Sequence, residues 1–179
     1  MEPMAVLETE RLVLKGFAPE DAEELYAYAK DPIVGPPAGW KPHESVEESR
    51  EIIATVFASG NQWAIRRKDD GRLIGSIGLE PDKHRPGCNS RELGYSLASD
   101  QWGQGLMPEA AEAVLQYGFE TLDLDLVGIC TGPSNRRSQG VIRKLGFVYE
   151  GTLRHCYNAV DGIRDSLIFS MNKKEYEGR

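Results

Sequence analysis

Residues 92–110 constrain the fold more than any other part of the sequence. They read Glu-Leu-Gly-Tyr-Ser-Leu-Ala-Ser-Asp-Gln-Trp-Gly-Gln-Gly-Leu-Met-Pro-Glu-Ala, which predicts a buried strand, a turn with two glycines and the start of a helix. Gly103 and Gly105 remove side chains where backbone must approach a ligand closely. The N–H groups of residues 103–107 then lie at the positive end of a helix dipole. This order predicts a cradle for an anion such as a phosphate.

The predicted cradle differs from two common nucleotide-binding loops. It lacks the third glycine of the dinucleotide fingerprint, and it has no Lys-Ser/Thr pair as a nucleoside triphosphate loop has. A plain loop turn is the simpler interpretation of the two glycines. The strand before them and the helix after them favour the cradle.

Length and composition indicate an ordinary globular domain. The chain of 179 residues is long enough for one domain with a substantial core, so we expect a single domain over residues 1–179. No apolar run reaches the roughly 20 residues of a membrane span, and the N-terminus does not resemble a signal peptide. We therefore expect a cytoplasmic protein without a membrane partner. The three cysteines have no paired spacing, which favours free thiols over disulfides or a metal site.

The net charge of -7 bears on the class of partner. It disfavours nucleic acid, whose phosphates attract basic proteins. It also favours encounter with cationic amines, although many acidic proteins carry such a charge for solubility alone. We expect no nucleic-acid partner.

The first half of the chain predicts one strand, two helices and a strand pair. Residues 10–17 alternate apolar and polar side chains as a strand does. A helix follows Pro19, and a second begins near Ser45, with Glu48 as a possible capping-box partner. The proline- and glycine-rich residues 31–43 predict an irregular connection. Asp70 and Gly71 predict a hairpin between strands at 62–67 and 73–79. The apolar faces expected for the two helices comprise Ala22, Leu25, Tyr26 and Ala29, and Ile52, Ile53, Val56 and Phe57.

The second half alternates strands and helices. A fourth strand at 91–97 leads through the cradle into a helix, and a fifth strand covers 125–130. Asn135 is a predicted N-cap for a further helix that ends at Gly146. A sixth strand begins at Phe147, and residues 160–163 predict a last hairpin. The cradle helix has a predicted buried face of Ala110, Ala111, Val114, Gly118 and Leu122, and the next helix one of Val141, Ile142 and Leu145.

The glycine turn resembles the acyl-coenzyme A loop of the GNAT superfamily of N-acetyltransferases, written Gln/Arg-x-x-Gly-x-Gly/Ala. With the central glycine placed on Gly105, Trp102 falls at the first position and Met107 at the last. Trp102 resembles the Trp-Gly-Lys-Gly variant of the branch similar to ribosomal-protein N-terminal acetyltransferases. Met107 is larger than the small residue of the pattern, which leaves its effect on the cofactor fit open.

Two further motifs resemble the same branch in the correct order. The opening residues 8–14, Glu-Thr-Glu-Arg-Leu-Val-Leu, resemble its first strand. Residues 135–147, which start Asn-Arg-Arg-Ser and end Lys-Leu-Gly-Phe, resemble its Asn-x-x-Ser to Gly-Phe signature. The resemblance thus extends over nearly the whole chain.

The resemblance implies both a fold and a reaction. The fold is the GNAT fold: one mixed α/β (α+β) domain with a mostly antiparallel sheet, a splay between its fourth and fifth strands, and helices on both faces. The reaction is direct transfer of an acetyl group from acetyl-coenzyme A, as co-substrate, to a primary amine of a protein N-terminus or a small molecule. It uses no metal and no covalent enzyme intermediate. Monomer and homodimer are both compatible with the sequence.

The resemblance also implies which residues bind coenzyme A. Strand backbone at Ser96, Leu97 and Ala98 pairs with the pantetheine arm, and an N–H near Leu97 faces the thioester carbonyl. Asn135 and Ser138 hold the pantetheine side, although Asn135 also suits a purely structural N-cap. Basic residues of the same helix, Arg136, Arg137, Arg143 and Lys144, are candidates for the 3′-phosphate or for solvated charges. The loop residues expected to bind the pyrophosphate are Trp102, Gly103, Gln104, Gly105, Leu106 and Met107.

The catalytic residues are harder to assign. Glu92 shares a strand face with Ser96 and is a candidate general base, while a half-exposed sheet carboxylate is the plainer interpretation. The tyrosine that protonates the thiolate in many family members falls on Ile142, which cannot do so. Water, Ser138 or Tyr157 are the alternatives. Trp40 follows a turn-rich stretch and is expected to line the acceptor pocket.

A non-catalytic coenzyme A-binding module of the same fold is the alternative to an enzyme. The missing tyrosine and the large side chain of Met107 both favour it. Release of free thiol from acetyl-coenzyme A in the presence of amines distinguishes the two.

Overall fold

The computed structural model describes residues 4–160 and 162–179, and for Tyr157 and Asn158 only the backbone. The described residues form one eight-stranded sheet flanked by helices. Its strands are β1 (Leu7–Glu8), β2 (Leu12–Gly16), β3 (Gln62–Arg67), β4 (Leu73–Pro81), β5 (Ser90–Leu97), β6 (Leu126–Thr131), β7 (Val148–Ala159) and β8 (Gly162–Asn172). The helices are α1 (Ala22–Ala29), α2 (Gly35–Ala38), α3 (Val46–Thr55), α4 (Leu106–Gln116), α5 (Arg136–Lys144) and α6 (Lys173–Glu177).

The sheet is mixed and mostly antiparallel, as predicted. Its strand order is β1-β2-β3-β4-β5-β6-β8-β7, and the pairing is antiparallel except between β5 and β6. The β3–β4 and β7–β8 hairpins are confirmed. Asp161, which belongs to the hairpin signal predicted over residues 160–163, lies outside the described residues.

Helices cover both faces of the sheet, which confirms the predicted fold class. Trp63 and Ile65 of β3 pack in a large core with α4 and α5. Between them Ala64 points to the other face, into a smaller core with α1 and α3. This alternation is the period-two pattern of a strand buried on both sides.

The connection over residues 31–43 is partly helical, so the prediction of a wholly irregular segment is wrong. Helix α2 forms there because Pro36 and Pro37 lie in its first turn, where an N–H has no helical partner to lose. Gly39 ends the helix with a left-handed backbone, φ 96°. Helix α2 lies beside β5.

Several predicted buried positions are also wrong. Leu122 is 40% exposed, because a π-helical turn over Tyr117–Thr121 follows α4 and rotates the later side chains. Leu124 takes its place in the core. In α1 Tyr28 is buried rather than Tyr26, and after α3 Val56 is 51% exposed. The short elements β1 and α6 were not predicted.

The predicted helix caps are confirmed in their main contacts. The Ser45 side chain accepts a hydrogen bond from Glu48 N, although the Glu48 carboxylate accepts from Glu44 N instead of completing the box at Ser45. Asn135 accepts from Ser138 N at the start of α5, and Gly146, φ 82°, follows its end. Among the described residues, no helix has the length and apolar character needed to cross a lipid bilayer.

Candidate active site

Strand β5 parts from β6 after three residue pairs. The parallel pairing runs from Ser90 with Leu126 to Glu92 with Gly128 and then stops. Residues 93–97 of β5 and 129–131 of β6 therefore border a gap in the middle of the sheet. This is the splay predicted between the strands at 91–97 and 125–130, which are β5 and β6 in the structure.

A cavity of about 370 Å³ opens beside this gap. It extends from the loop before α4, across the end of β5, to the first turns of α5, and α2 forms part of its wall. Its lining includes Tyr95, Ser96 and Leu97 of β5, Trp102, Gly103, Gly105, Leu106 and Met107 of the loop and α4, and Asn135, Arg137, Ser138 and Lys144 of α5. Most residues expected to bind the cofactor thus lie around one space. Gln104 and Ala98 do not line it.

The loop at residues 103–107 has the geometry of an anion cradle. Gly103 and Gly105 both have φ 76°, in the left-handed region where other residues are strained. Gly105 is the N-cap of α4 and provides no side chain to cap the first turn. The N–H groups of Leu106 and Met107 are free of helical partners at that turn. They are available to an anion in the cavity.

The side chain of Met107 packs into the main core, where it is 5% exposed. Trp102 is partly buried, and its Nε1 donates a hydrogen bond to Leu97 O at 2.9 Å. The guanidinium of Arg137 lies 4.0 Å from the centre of the Trp102 ring, a cation–π contact. These contacts join the loop, β5 and α5 around the cavity.

The backbone of β5 presents hydrogen-bonding groups to the gap. Ala98 N donates to Ile74 O on the β4 side. Because successive backbone groups of an extended chain point to opposite edges, Leu97 N faces the gap. Ser96 has its side chain in a buried hydroxyl cluster, with Ser76 Oγ at 3.0 Å and Tyr28 Oη at 3.4 Å.

Asn135 and Ser138 lie across the cavity from β5. The Asn135 carboxamide accepts from Ser138 N and also donates to Pro37 O at 3.4 Å, which ties α5 to α2. The Ser138 hydroxyl is 3.1 Å from Tyr95 Oη. Burial raises the pKa of Tyr95 to about 12, and the Ser138 hydrogen bond opposes part of this rise. The phenol therefore stays protonated at neutral pH.

Glu92 lies apart from this cavity. It is half-buried at the last β5–β6 pair, where its carboxylate accepts a hydrogen bond from the Cys130 thiol at 3.2 Å. Burial and the charge of Glu92 raise the pKa of Cys130 to about 12. Glu92 shares a strand face with Ser96, but the two residues are four positions apart, so their Cα atoms are separated by about 13 Å along the strand.

Trp40, expected to line the acceptor pocket, and Ile142, at the position of the family tyrosine, do not line this cavity. Trp40 packs beneath α2, where a methyl group on Gly35 would lie 2.5 Å from its ring. Ile142 has no exposed surface and belongs to the main core. The side chain of Tyr157 lies outside the described residues.

Sequence reasoning missed Tyr95, Arg137 as a ring partner, and the α2 residues of the wall. Tyr95 lies between Gly94 and Ser96, and these two residues share the opposite strand face with Glu92, the candidate base. The period-two rule places Tyr95 beside Leu97 and Leu93, toward α5. This alternation along the strand was the signal available in the sequence.

Comparisons with known proteins agree with this geometry. Residues 11–148 match the family model described as acetyltransferase (GNAT) domain. The chain is 32% identical over 180 residues to the uncharacterized N-acetyltransferase p20 of Bacillus licheniformis, with 98% of this chain and 100% of that one covered. It is 25% identical to the [ribosomal protein uS5]-alanine N-acetyltransferase of Escherichia coli, covering 97% and 94% of the two chains.

A solved acetyltransferase of the GNAT family from Bacillus anthracis has the same fold. The TM-score is 0.84 at 23% identity, and the match covers 96% of this chain and 100% of that one.

Proposed function

Because the chain belongs to the GNAT acetyltransferase family, we propose that it transfers an acetyl group from acetyl-coenzyme A to a primary amine. The observation that supports this is the continuity of one cavity. At one end lie the uncapped N–H groups of α4, and at the other lie Tyr95, Ser96 and Leu97, on the part of β5 that no longer pairs with β6. A molecule with a diphosphate at one end and an extended arm at the other matches both features.

The residues of the cavity fit the co-substrate. Leu106 and Met107 at the start of α4 would donate N–H groups to the diphosphate. The gap edge of β5, with Leu97 N, would donate to the extended arm and polarise the thioester carbonyl. Arg137 and Lys144, which line the same cavity, would neutralise further phosphate charge. Asn135 would hold the arm from the side of α5.

Amine deprotonation is the step for which we propose Glu92. An amine beside Ser96 would be too far from the carboxylate for a single bridging water, so proton transfer would need a chain of waters, and we expect Glu92 to act as a weak base. An α-amino group, with a pKa near 7.7–8.0, needs less help than a lysine amine near 10.4. The E. coli relative is named for acetylation of an alanine of a ribosomal protein. We therefore propose an α-amine as acceptor.

We propose that Tyr95 protonates the departing thiolate. Its hydroxyl lines the cavity and is oriented by the Ser138 hydroxyl, 3.1 Å away. The phenol carries its proton at neutral pH and can donate it to the thiolate as the thiolate leaves, but its raised pKa, above the thiol value near 8.5, makes it a weaker donor than an ordinary tyrosine. Ser138 would then orient the donor instead of serving as the donor itself.

Two measurements test the function. Calorimetry with coenzyme A measures binding, and release of free thiol from acetyl-coenzyme A measures transfer to a panel of amines. We expect both binding and transfer. We expect faster thiol release with a peptide that has a free α-amine and no lysine than with a peptide that is blocked at its N-terminus and carries a lysine. Binding without thiol release on any acceptor would support the non-catalytic module, and absence of binding would overturn the proposal.

Tyr95→Phe tests the proton donor. We expect kcat to fall about 100-fold, the lower range for loss of a general acid, with the Kd for coenzyme A unchanged. The control is Tyr149→Phe, on an exposed tyrosine of β7 that does not line the cavity. Unchanged kcat in Tyr95→Phe would leave protonation to water or to Ser138.

A further inference from the structure

The N-terminal strands are joined to the cradle by a dense set of hydrogen bonds. Glu109, in the first turns of α4, is their centre. Its Oε1 accepts from Thr9 Oγ1 at 2.6 Å and from Arg11 N at 2.8 Å, and its Oε2 accepts from Arg11 Nε at 2.7 Å. Arg11 Nη2 lies at 2.7 Å from the same Oε2, so the guanidinium pairs with the carboxylate through two nitrogens.

Arg11 also contacts the cradle directly. Its third guanidinium nitrogen, Nη1, donates to Gln104 O at 3.0 Å. Gln104 lies between Gly103 and Gly105, the two left-handed residues of the loop. One rigid fork therefore binds both the start of α4 and the loop that precedes it. We call Thr9, Arg11 and Glu109 the brace.

The brace is partly sheltered from solvent and charged at neutral pH. The Glu109 side chain is 18% exposed, whereas that of Arg11 is 46% exposed. Burial raises the pKa of Glu109, but the hydrogen bonds of Thr9 and Arg11 outweigh burial and keep the pKa below its ordinary value. The carboxylate is thus ionised wherever the protein is folded near neutral pH.

The loop needs such a restraint. Glycine has more backbone freedom than any other residue, and the loop contains two within three positions. Gln104 is also restrained by the hydrogen bond from its Nε2 to Asp100 O, at 3.2 Å. A loop that moves by 1 Å would turn its N–H groups away from an anion, because hydrogen bonds weaken steeply with angle.

We propose that Arg11, held by Glu109 and Thr9, is a positioning residue that fixes the cradle for the diphosphate of the co-substrate. This inference rests on the proposed function, since it assigns the diphosphate to the same loop. Arg11 acts from behind the loop and does not line the main cavity. Its loss should therefore affect donors that carry a diphosphate and spare donors that lack one.

The test compares two acetyl donors on the full chain. Acetyl-coenzyme A carries the diphosphate, and S-acetylpantetheine does not. In Arg11→Ala we expect the KM for acetyl-coenzyme A and the Kd for coenzyme A to rise about tenfold, the scale of one charge-assisted hydrogen bond. We expect kcat, and kcat/KM for S-acetylpantetheine, to change less than about twofold. Lys15→Ala, at an exposed cation of β2 four residues after Arg11, is the matched control.

Two more variants separate positioning from stability. Arg11→Lys keeps the charge but cannot bind Glu109 and Gln104 O with one planar fork, so we expect most of the loss to remain. Glu109→Gln should also weaken the binding of coenzyme A. The double variant Arg11→Ala with Glu109→Gln should lose no more affinity for coenzyme A than Arg11→Ala alone. Thermal unfolding of each variant shows whether the fold itself has weakened.

The outcomes are distinct. If wild-type protein does not bind coenzyme A, the proposed function and this inference fall together. If wild-type protein binds but Arg11→Ala binds equally well, the inference alone is wrong. Equal losses with both donors would also overturn it, because that pattern indicates general destabilisation and not a fault in the diphosphate cradle.

Discussion

The two edges of β5 differ sharply. Toward β4 the strand is paired over seven positions, from Leu97 with Gly75 to Arg91 with Pro81. Toward β6 it is paired over three, all at its start. The closed edge uses its backbone groups within the sheet, whereas the open edge presents them to the cavity.

The difference shows how one strand supports both the fold and the site. Unpaired backbone groups cost free energy when buried, so an open edge in the middle of a sheet needs water or a ligand. The closed edge holds β5 in place while the open edge stays available. Predictions on the two edges should therefore separate stability from binding.

The largest effect is expected at Gly75 on the closed edge. A methyl group there would lie 2.4 Å from Ser96 O, a backbone atom that cannot move without disturbing the sheet. We expect Gly75→Ala to lower the free energy of unfolding by about 3 kcal/mol, more than a hundredfold in the unfolding equilibrium. Urea denaturation measures it.

Gly94→Ala is the matched control on β5. Nothing lies within 4 Å of a methyl group at Gly94, so we expect equal or slightly higher stability, since alanine reduces the entropy of the unfolded chain. Similar losses of stability in Gly75→Ala and Gly94→Ala would mean that the contact of a methyl group with Ser96 O is not what destabilises Gly75→Ala.

A smaller effect is expected for Cys130 on the open edge. Its pKa of about 12 reduces the thiolate fraction at pH 8, and the greater nucleophilicity of a more basic thiolate offsets part of this loss. We expect iodoacetamide to modify Cys130 about 50-fold more slowly than an ordinary thiol. Mass spectrometry compares it with Cys88 and Cys156, which are exposed.

Glu92→Gln sharpens this result. It removes the negative charge that helps to raise the pKa of Cys130, so the modification should become faster. If Cys130 reacts as fast as the exposed thiols in the wild-type protein, the contact between Cys130 and Glu92 is not present in solution.

The smallest effect is expected at Asn135, across the open edge. Asn135→Ala removes the N-cap acceptor and should lower the free energy of unfolding by about 1 kcal/mol. Asn135→Asp keeps that acceptor and should retain the stability, but it loses the amide that donates to Pro37 O. If the amide also holds the co-substrate, both variants raise the KM for acetyl-coenzyme A. An unchanged KM in Asn135→Asp would make Asn135 a cap only.

Local patterns in the sequence predicted most of the sheet and the cradle. Alternation gave the longer strands, and Gly103 and Gly105 gave the loop, because both signals lie within a few residues of what they specify. The splay was implied by family resemblance, and the structure confirms it. Helix α2 is not predicted because a cluster of prolines and glycines is typical of irregular structure, although Pro36 and Pro37 lie where a helix tolerates proline.

The remaining errors concern one local irregularity after a helix and contacts between distant segments. The exposure of Leu122 depends on a π-helical turn that no periodic pattern indicates. The brace joins residues about a hundred positions apart, Thr9 and Arg11 with Glu109. The pairing of Tyr95 with Ser138 likewise depends on how α5 packs against β5. Such contacts follow from packing and not from local sequence.

The complete enclosure of Ile142 bears on how related enzymes diverge. An aromatic ring with a hydroxyl at this position would overfill the core, at a cost of about 1–3 kcal/mol. A protein in which a tyrosine at position 142 of α5 replaced Tyr95 of β5 as the proton donor would thus need compensating changes around α5 to accommodate the new side chain. We therefore expect Ile142→Tyr to destabilise the fold unless side chains packed against α5 become smaller at the same time.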